Sequence, residues 1–106
     1  MSSLQKNKPF RSKQYRDYIS SLPCCVTGDT PSDCHHITGT KKGGMSTKIG
    51  DNYCIPITRS MHTQLHSDPK RWELLFGTQQ SHLDRTLFKA RNDDMLDGFT
   101  AWKTGL

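Results

Sequence analysis

Short amphipathic stretches alternate along this chain with polar segments rich in turn-forming residues. Tyr15, Tyr18, Ile19 and Leu22 recur at helical spacing, predicting a helix over 12–21 that Pro23 ends. Cys24-Cys25-Val26-Thr27-Gly28 reads as a short extended piece, turned by Gly28-Asp29 and the Thr30-Pro31-Ser32-Asp33 cluster. Cys34 to Thr38 reads as a strand, and Gly39 to Gly50 as a loop carrying four glycines. Tyr53 to Ile57 reads as a second strand, which Pro56 marks as an edge strand. Thr58 or Ser60 can cap a helix reaching to about His66. Asp68-Pro69 opens another, with Trp72, Leu75 and Phe76 on one face and Gly77 as its stop. Leu83, Leu87 and Phe88 predict a last helix over 79–92, while 93–106 shows no clear pattern. The pattern is that of an α+β fold: a β-hairpin followed by a helix, with further helices around it.

A chain of 106 residues has room for one core. Only 32% of its residues are hydrophobic, so that core is modest and an added staple is expected: disulfides, a metal or oligomerisation. The start of the chain is polar and basic without a signal-peptide pattern, and no apolar run approaches membrane-spanning length. The expectation is a cytosolic chain with reduced thiols at Cys24, Cys25, Cys34 and Cys54, which favours a metal over disulfides. The cysteines are read as small buried hydrophobes.

The net charge of +5 equals the charge of the opening segment, where Lys6, Lys8, Arg11, Lys13 and Arg16 precede the first acid, Asp17. Residues 1–12 read as a flexible basic arm ahead of a domain over 13–92. Either the arm is a solvated tail or, with Lys41, Lys42 and Lys48 of the glycine loop, it contacts the phosphates of a nucleic acid.

Four of the five histidines fall in two pairs flanking the hairpin-and-helix unit. His35 and His36 are adjacent on a strand and point to opposite sides. His62 and His66 are four apart on a helix and share a face, an arrangement that can chelate one divalent ion. One of the strand histidines can complete a three-His site, leaving the other free as a base. Either pair alone is usually plain surface; both together, around a Gly/Lys loop and Asp51-Asn52, are much harder to obtain by accident. His82 stands apart and reads as a helix-surface residue.

Asp33-Cys34-His35-His36-Ile37-Thr38-Gly39, then Gly43-Gly44-Met45, then Gly50-Asp51-Asn52-Tyr53-Cys54-Ile55-Pro56-Ile57, and finally His62 with His66 resemble the HNH, or His-Me finger, endonucleases and their ββα-metal fold. The double histidine, the Asp-Asn before the second strand and the H-x-x-x-H ending look like the nuclease colicins. The flanking Pro23-Cys24 through Thr27-Gly28 and Trp72 to Gly77 look like phage and prophage HNH proteins, recombination-enhancement nucleases among them. The resemblance is strong over 33–66 and weaker out to 22–77.

The resemblance implies a metal-dependent DNA endonuclease, nicking or cutting both strands and leaving 5′-phosphate and 3′-hydroxyl ends. His36 would be the general base, a role suited to imidazole because it titrates near neutral pH. His35, His62 and His66 would hold one divalent ion (Mg²⁺, Mn²⁺ or Zn²⁺), and Asn52 would fix the hairpin and orient His36. Asp51 could simply cap the strand entry. Exchanging His35 and His36 is the alternative assignment; His36 is preferred because the family's base precedes an aliphatic residue, here Ile37. A phage or prophage origin, a bacterial cytoplasm, and recombination or phage replication proteins as partners would follow. A metal-stabilised DNA-binding module without activity and an RNA-cleaving relative are the alternatives. Many members add a zinc on two C-x-x-C pairs; no C-x-x-C occurs here, so that site is not expected.

Overall fold

The structure is a computed structural model that describes residues 10–37 and 50–96. Helix α1 spans Lys13–Ser21, strand β1 Asp33–His36, a 3-10 turn Asp51–Tyr53 and strand β2 Cys54–Ile57. Helices α2 (Arg59–Ser67), α3 (Pro69–Phe76) and α4 (Gln79–Asn92) follow. The fold is α+β, with a two-stranded antiparallel sheet leading into α2.

The helix starts are chemically marked. Ser12, Thr58, Asp68 and Thr78 each accept a backbone N–H from three residues on, satisfying a donor that the first turn cannot. Gly77 closes α3 at φ 98°, a left-handed conformation in which a Cβ would be strained.

The strands pair His35 with Ile55 and His36 with Cys54. Pro56 is tolerated because its carbonyl points away from β1 and accepts Cys25 N–H at 2.9 Å. In an antiparallel strand a residue's N–H and C=O point the same way, so the donor proline lacks would also have faced outward. Every residue of β2 is buried, since helices cover both faces of the sheet. One cluster gathers Tyr15, Ile19, Leu22, Ile37, Cys54, Ile55, Leu83, Leu87, Ala90 and Leu96; a smaller one holds Cys24, Ile57, Leu65 and Trp72.

Several expectations need correction. Residues 10–12, expected within a free arm, are docked: Phe10 packs against Tyr15, its carbonyl accepts Asp51 N–H at 2.7 Å, and Ser12 caps α1. Gly50 permits this approach, because a Cβ there would sit 2.9 Å from Phe10 N and 2.6 Å from Asn52 Oδ1. Leu75 and Phe88, expected on apolar faces, are 61% and 62% exposed. The buried face of α4 instead runs through Gln79, His82, Leu83, Thr86, Leu87 and Ala90. His82, expected at the surface, is buried against Trp72; Nε2 donates to the Phe76 carbonyl at 2.8 Å and Nδ1 accepts from Arg85 at 2.7 Å. Lys6, Lys8, Lys41, Lys42 and Lys48 lie outside the described residues.

Candidate functional site

The alternation of β1 divides its two histidines between opposite faces of the sheet. His35 is buried and meets the rings of His62 and His66, whose centroids lie 4.7 and 5.5 Å from its own. One turn of α2 separates the latter two rings, with centroids 4.7 Å apart. The three can present one nitrogen each within 4.8 Å of one another, close enough to hold a metal ion. Three imidazoles suit zinc and other divalent first-row ions and leave a position for water or substrate. A surface pocket of about 460 Å³ opens beside His62 and His66, lined also by Asp33, Cys34, Arg59 and Thr63.

Second partners orient these rings. His62 Nδ1 donates to Asp33 Oδ2 at 3.0 Å, while Arg59 Nε donates to the same oxygen at 2.8 Å. Those two hydrogen bonds, Arg59 first, hold the Asp33 carboxyl below its ordinary range. His35 Nε2 faces Gln79 Oε1 at 3.0 Å.

Burial pushes the His35 imidazole down to about 4, with the neighbouring His62 and His66 adding to the shift and the Gln79 hydrogen bond opposing it. A folded value below the ordinary 6.5 means that the unfolded chain takes up the proton first as pH falls. Stability is therefore complete above about pH 6.5 and declines between there and about 4, by up to about 3 kcal/mol from this residue. His82, also lowered by burial, acts in the same direction. Urea unfolding in EDTA should show this loss between pH 7 and 4.5, and an unchanged midpoint would mean His35 is not buried as a neutral ring.

The other face carries a separate arrangement. His36 Nε2 lies 2.9 Å from Asp51 Oδ1, and Asp51 is almost fully buried. The same carboxylate accepts Ser12 N–H at 2.8 Å, Arg16 at 2.6 Å and Arg11 at 3.4 Å. Burial raises the Asp51 carboxyl, but these donors outweigh it, led by Ser12 N–H and then His36 and Arg16; the net direction is downward. His36, Asp51 and Cys54 are also close enough to hold an ion, yet their chemistry opposes it. Two guanidiniums already neutralise the carboxylate. The Cys54 thiol is pushed up by its Cys34 hydrogen bond and by burial, which disfavours the thiolate form. This face holds an imidazole against a buried carboxylate, while the His35 face presents three imidazoles close enough to hold an ion.

The residues singled out from sequence thus separate cleanly. His35, His62 and His66 come together, and His36 stands across the sheet from them. The partner of His36 is Asp51, where Asn52 was expected; Asn52 is buried in the same turn with Oδ1 toward Gly50. Arg11 reaches Asp51, and exposed Lys13 pairs with Asp17 at 2.8 Å. Asp33 and Gln79 were missed: Asp33 had the signal of standing two residues before His35, whereas Gln79 had none.

Fold and site together define a small α+β domain built around a histidine cluster. The chain belongs to the family described as protein of unknown function (DUF968), whose profile matches residues 3–92. It is similar to the uncharacterized protein YdfU of Escherichia coli (strain K12), with 31% identity over 87 residues. That alignment covers 82% of this chain and 25% of the relative, so the chain spans about a quarter of the relative's length. No solved structure matches. Among the described residues, no helix is long and apolar enough to cross a membrane.

Proposed function

We propose that the domain is a metal-dependent phosphodiester hydrolase of the HNH, or His-Me finger, type, acting on DNA. The observation that carries this reading is the division of labour on β1. His35 joins His62 and His66 on one face, while His36 is bound to a buried carboxylate on the other. A purely structural metal site would need neither His36 nor Asp51.

His35, His62 and His66 hold a divalent ion, Mg²⁺, Mn²⁺ or Zn²⁺, which when bound supplies charge stabilisation to the phosphate and the leaving oxygen. Asp51, ionised and only able to accept, receives a hydrogen bond from His36 Nε2–H and keeps the proton on that nitrogen. That leaves His36 Nδ1 with its lone pair, and this is the atom that removes a proton from the attacking water. Arg11 and Arg16, 46% and 40% exposed beside the dyad, supply positive charge for a phosphodiester backbone.

The direct test is nicking of supercoiled plasmid by purified protein in Mg²⁺, Mn²⁺, Zn²⁺ or EDTA, with single-stranded RNA in parallel. Cleavage should need a divalent ion. The activating ion should also raise the melting temperature, since a ligand at a hundred times its Kd adds about 2.7 kcal/mol, on the order of ten degrees for so small a domain. Cleavage of RNA alone would move the substrate class. No cleavage with any ion, alongside a metal-induced rise in melting, would favour a metal-stabilised binding module.

A further inference from the structure

We infer that Gln79 is a positioning residue of the histidine cluster, keeping the His35 Nδ1 lone pair available as a metal ligand by accepting a hydrogen bond from His35 Nε2–H. The inference rests on the reading of His35, His62 and His66 as a metal site.

Gln79 Oε1 lies 3.0 Å from His35 Nε2, and each residue is only 3% exposed. An amide oxygen can only accept, so Nε2 carries the proton; a neutral imidazole has one N–H, so Nδ1 is bare. On the facing ring, the ionised Asp33 accepts from His62 Nδ1, which leaves His62 Nε2 bare. These two bare nitrogens lie 3.1 Å apart. Lone pairs aimed at each other at that distance repel unless a cation joins them. The cluster is set, by two acceptors outside it, to receive one.

The competing state shows what Gln79 prevents. With the His35 proton on Nδ1, that N–H would donate to His62 Nε2, and the pair would satisfy itself without an ion. Moving the proton there would leave His35 Nε2 facing an amide oxygen, acceptor against acceptor, between two buried residues where an unmet hydrogen bond is costly. Gln79 thus makes the self-satisfied state expensive.

The corner between α3 and α4 is shaped to deliver this one amide. Gln79 is the first residue of α4, directly after its cap Thr78. Its backbone N–H donates to Glu73 Oε2 at 2.8 Å, tying the start of α4 to α3, and Gly77 makes the turn between them. A contribution to the cluster therefore comes from outside the hairpin-and-helix unit, 44 residues from the ring it serves.

Zn²⁺ titration by calorimetry should be run on the parent, Gln79→Leu, Gln79→Glu and His66→Ala. Loss of a partner to a ligating histidine typically weakens metal binding by about 10- to 100-fold, and Gln79→Leu should fall in that range. Gln79→Glu keeps an acceptor at the same place and should bind at least as tightly as the parent. Nitrogen-15 spectra of the Zn²⁺-loaded parent should show His35 protonated at Nε2 and metal-shifted at Nδ1, a readout that needs no variant to fold. If Gln79→Leu binds like the parent while His66→Ala is weakened, or if His35 binds through Nε2, the role of Gln79 falls and the metal site stands. If the parent binds no Zn²⁺, or His66→Ala binds equally well, the metal site falls and the inference goes with it.

Discussion

His36→Ala should lower the rate of plasmid nicking by about 10²- to 10⁴-fold while leaving bound metal and melting temperature close to the parent. The expectation follows from the separation of the two faces of the sheet. His36 is partly exposed, contributes no nitrogen to the three-imidazole cluster, and contacts Asp51 across the hairpin. Truncation removes a proton acceptor but no ligand. His62→Ala or His66→Ala should instead lose metal, activity and metal-dependent stability together. Rate, metal content and melting on the same preparations separate these outcomes. If His36→Ala loses metal and His35→Ala retains it, the two strand histidines have exchanged roles. Parental nicking rates in all the variants would place the activity elsewhere.

Asp51→Asn should cost both stability and rate, unlike His36→Ala. The carboxylate accepts from Ser12 N–H, Arg16, Arg11 and His36, so it fastens the entry to α1 and the β2 entry together. An asparagine of the same size presents an NH₂ to donors and leaves the guanidiniums without their counter-charge. Breaking a buried ion pair costs about 3–5 kcal/mol; the lower end applies because both arginines can turn toward water. For a domain of this size about 3 kcal/mol corresponds to a fall in melting temperature of about 12–24 °C. The rate should fall by about 10- to 100-fold even where the protein remains folded, because His36 loses the group that fixes its tautomer. Salt should narrow the stability difference only slightly, since the carboxylate is shielded from solvent. If Asp51→Asn melts and cuts like the parent while Asn52→Ala loses both, Asn52 is the orienting residue and the dyad has no part in the chemistry.

Much of the fold was legible in the sequence because it depends on short-range rules. Thr58 and Asp68 act on N–H groups three residues away, so each cap can be recognised without knowing the fold. The stop at Gly77 is equally local. Where apolar pattern was read without packing, errors followed. Phe88 follows Leu87 in α4 but leaves the helix on a side that no other described element covers, and Leu75 does the same on α3. His82 was misread in the opposite sense: a polar ring is buried because Trp72, the Phe76 carbonyl and Arg85 close around it.

The candidate site divides along the same line. The strand period of two separates His35 from His36, and the helical rise places His62 beside His66; both relations are properties of single elements and hold in any tertiary arrangement. That is what the sequence by itself determined: two histidine pairs, the faces they occupy, and the ligand type they offer. Only the tertiary structure decided which strand histidine meets the helical pair, because that depends on α2 lying across one face of the sheet and α1 across the other. It also chose the supporting partners. Asp51 receives Arg16 and Arg11 from 35 and 40 residues away, and Gln79 reaches His35 across 44. Backbone periodicity sets the direction in which a side chain leaves its own element, whereas its partner is set by how separate elements pack.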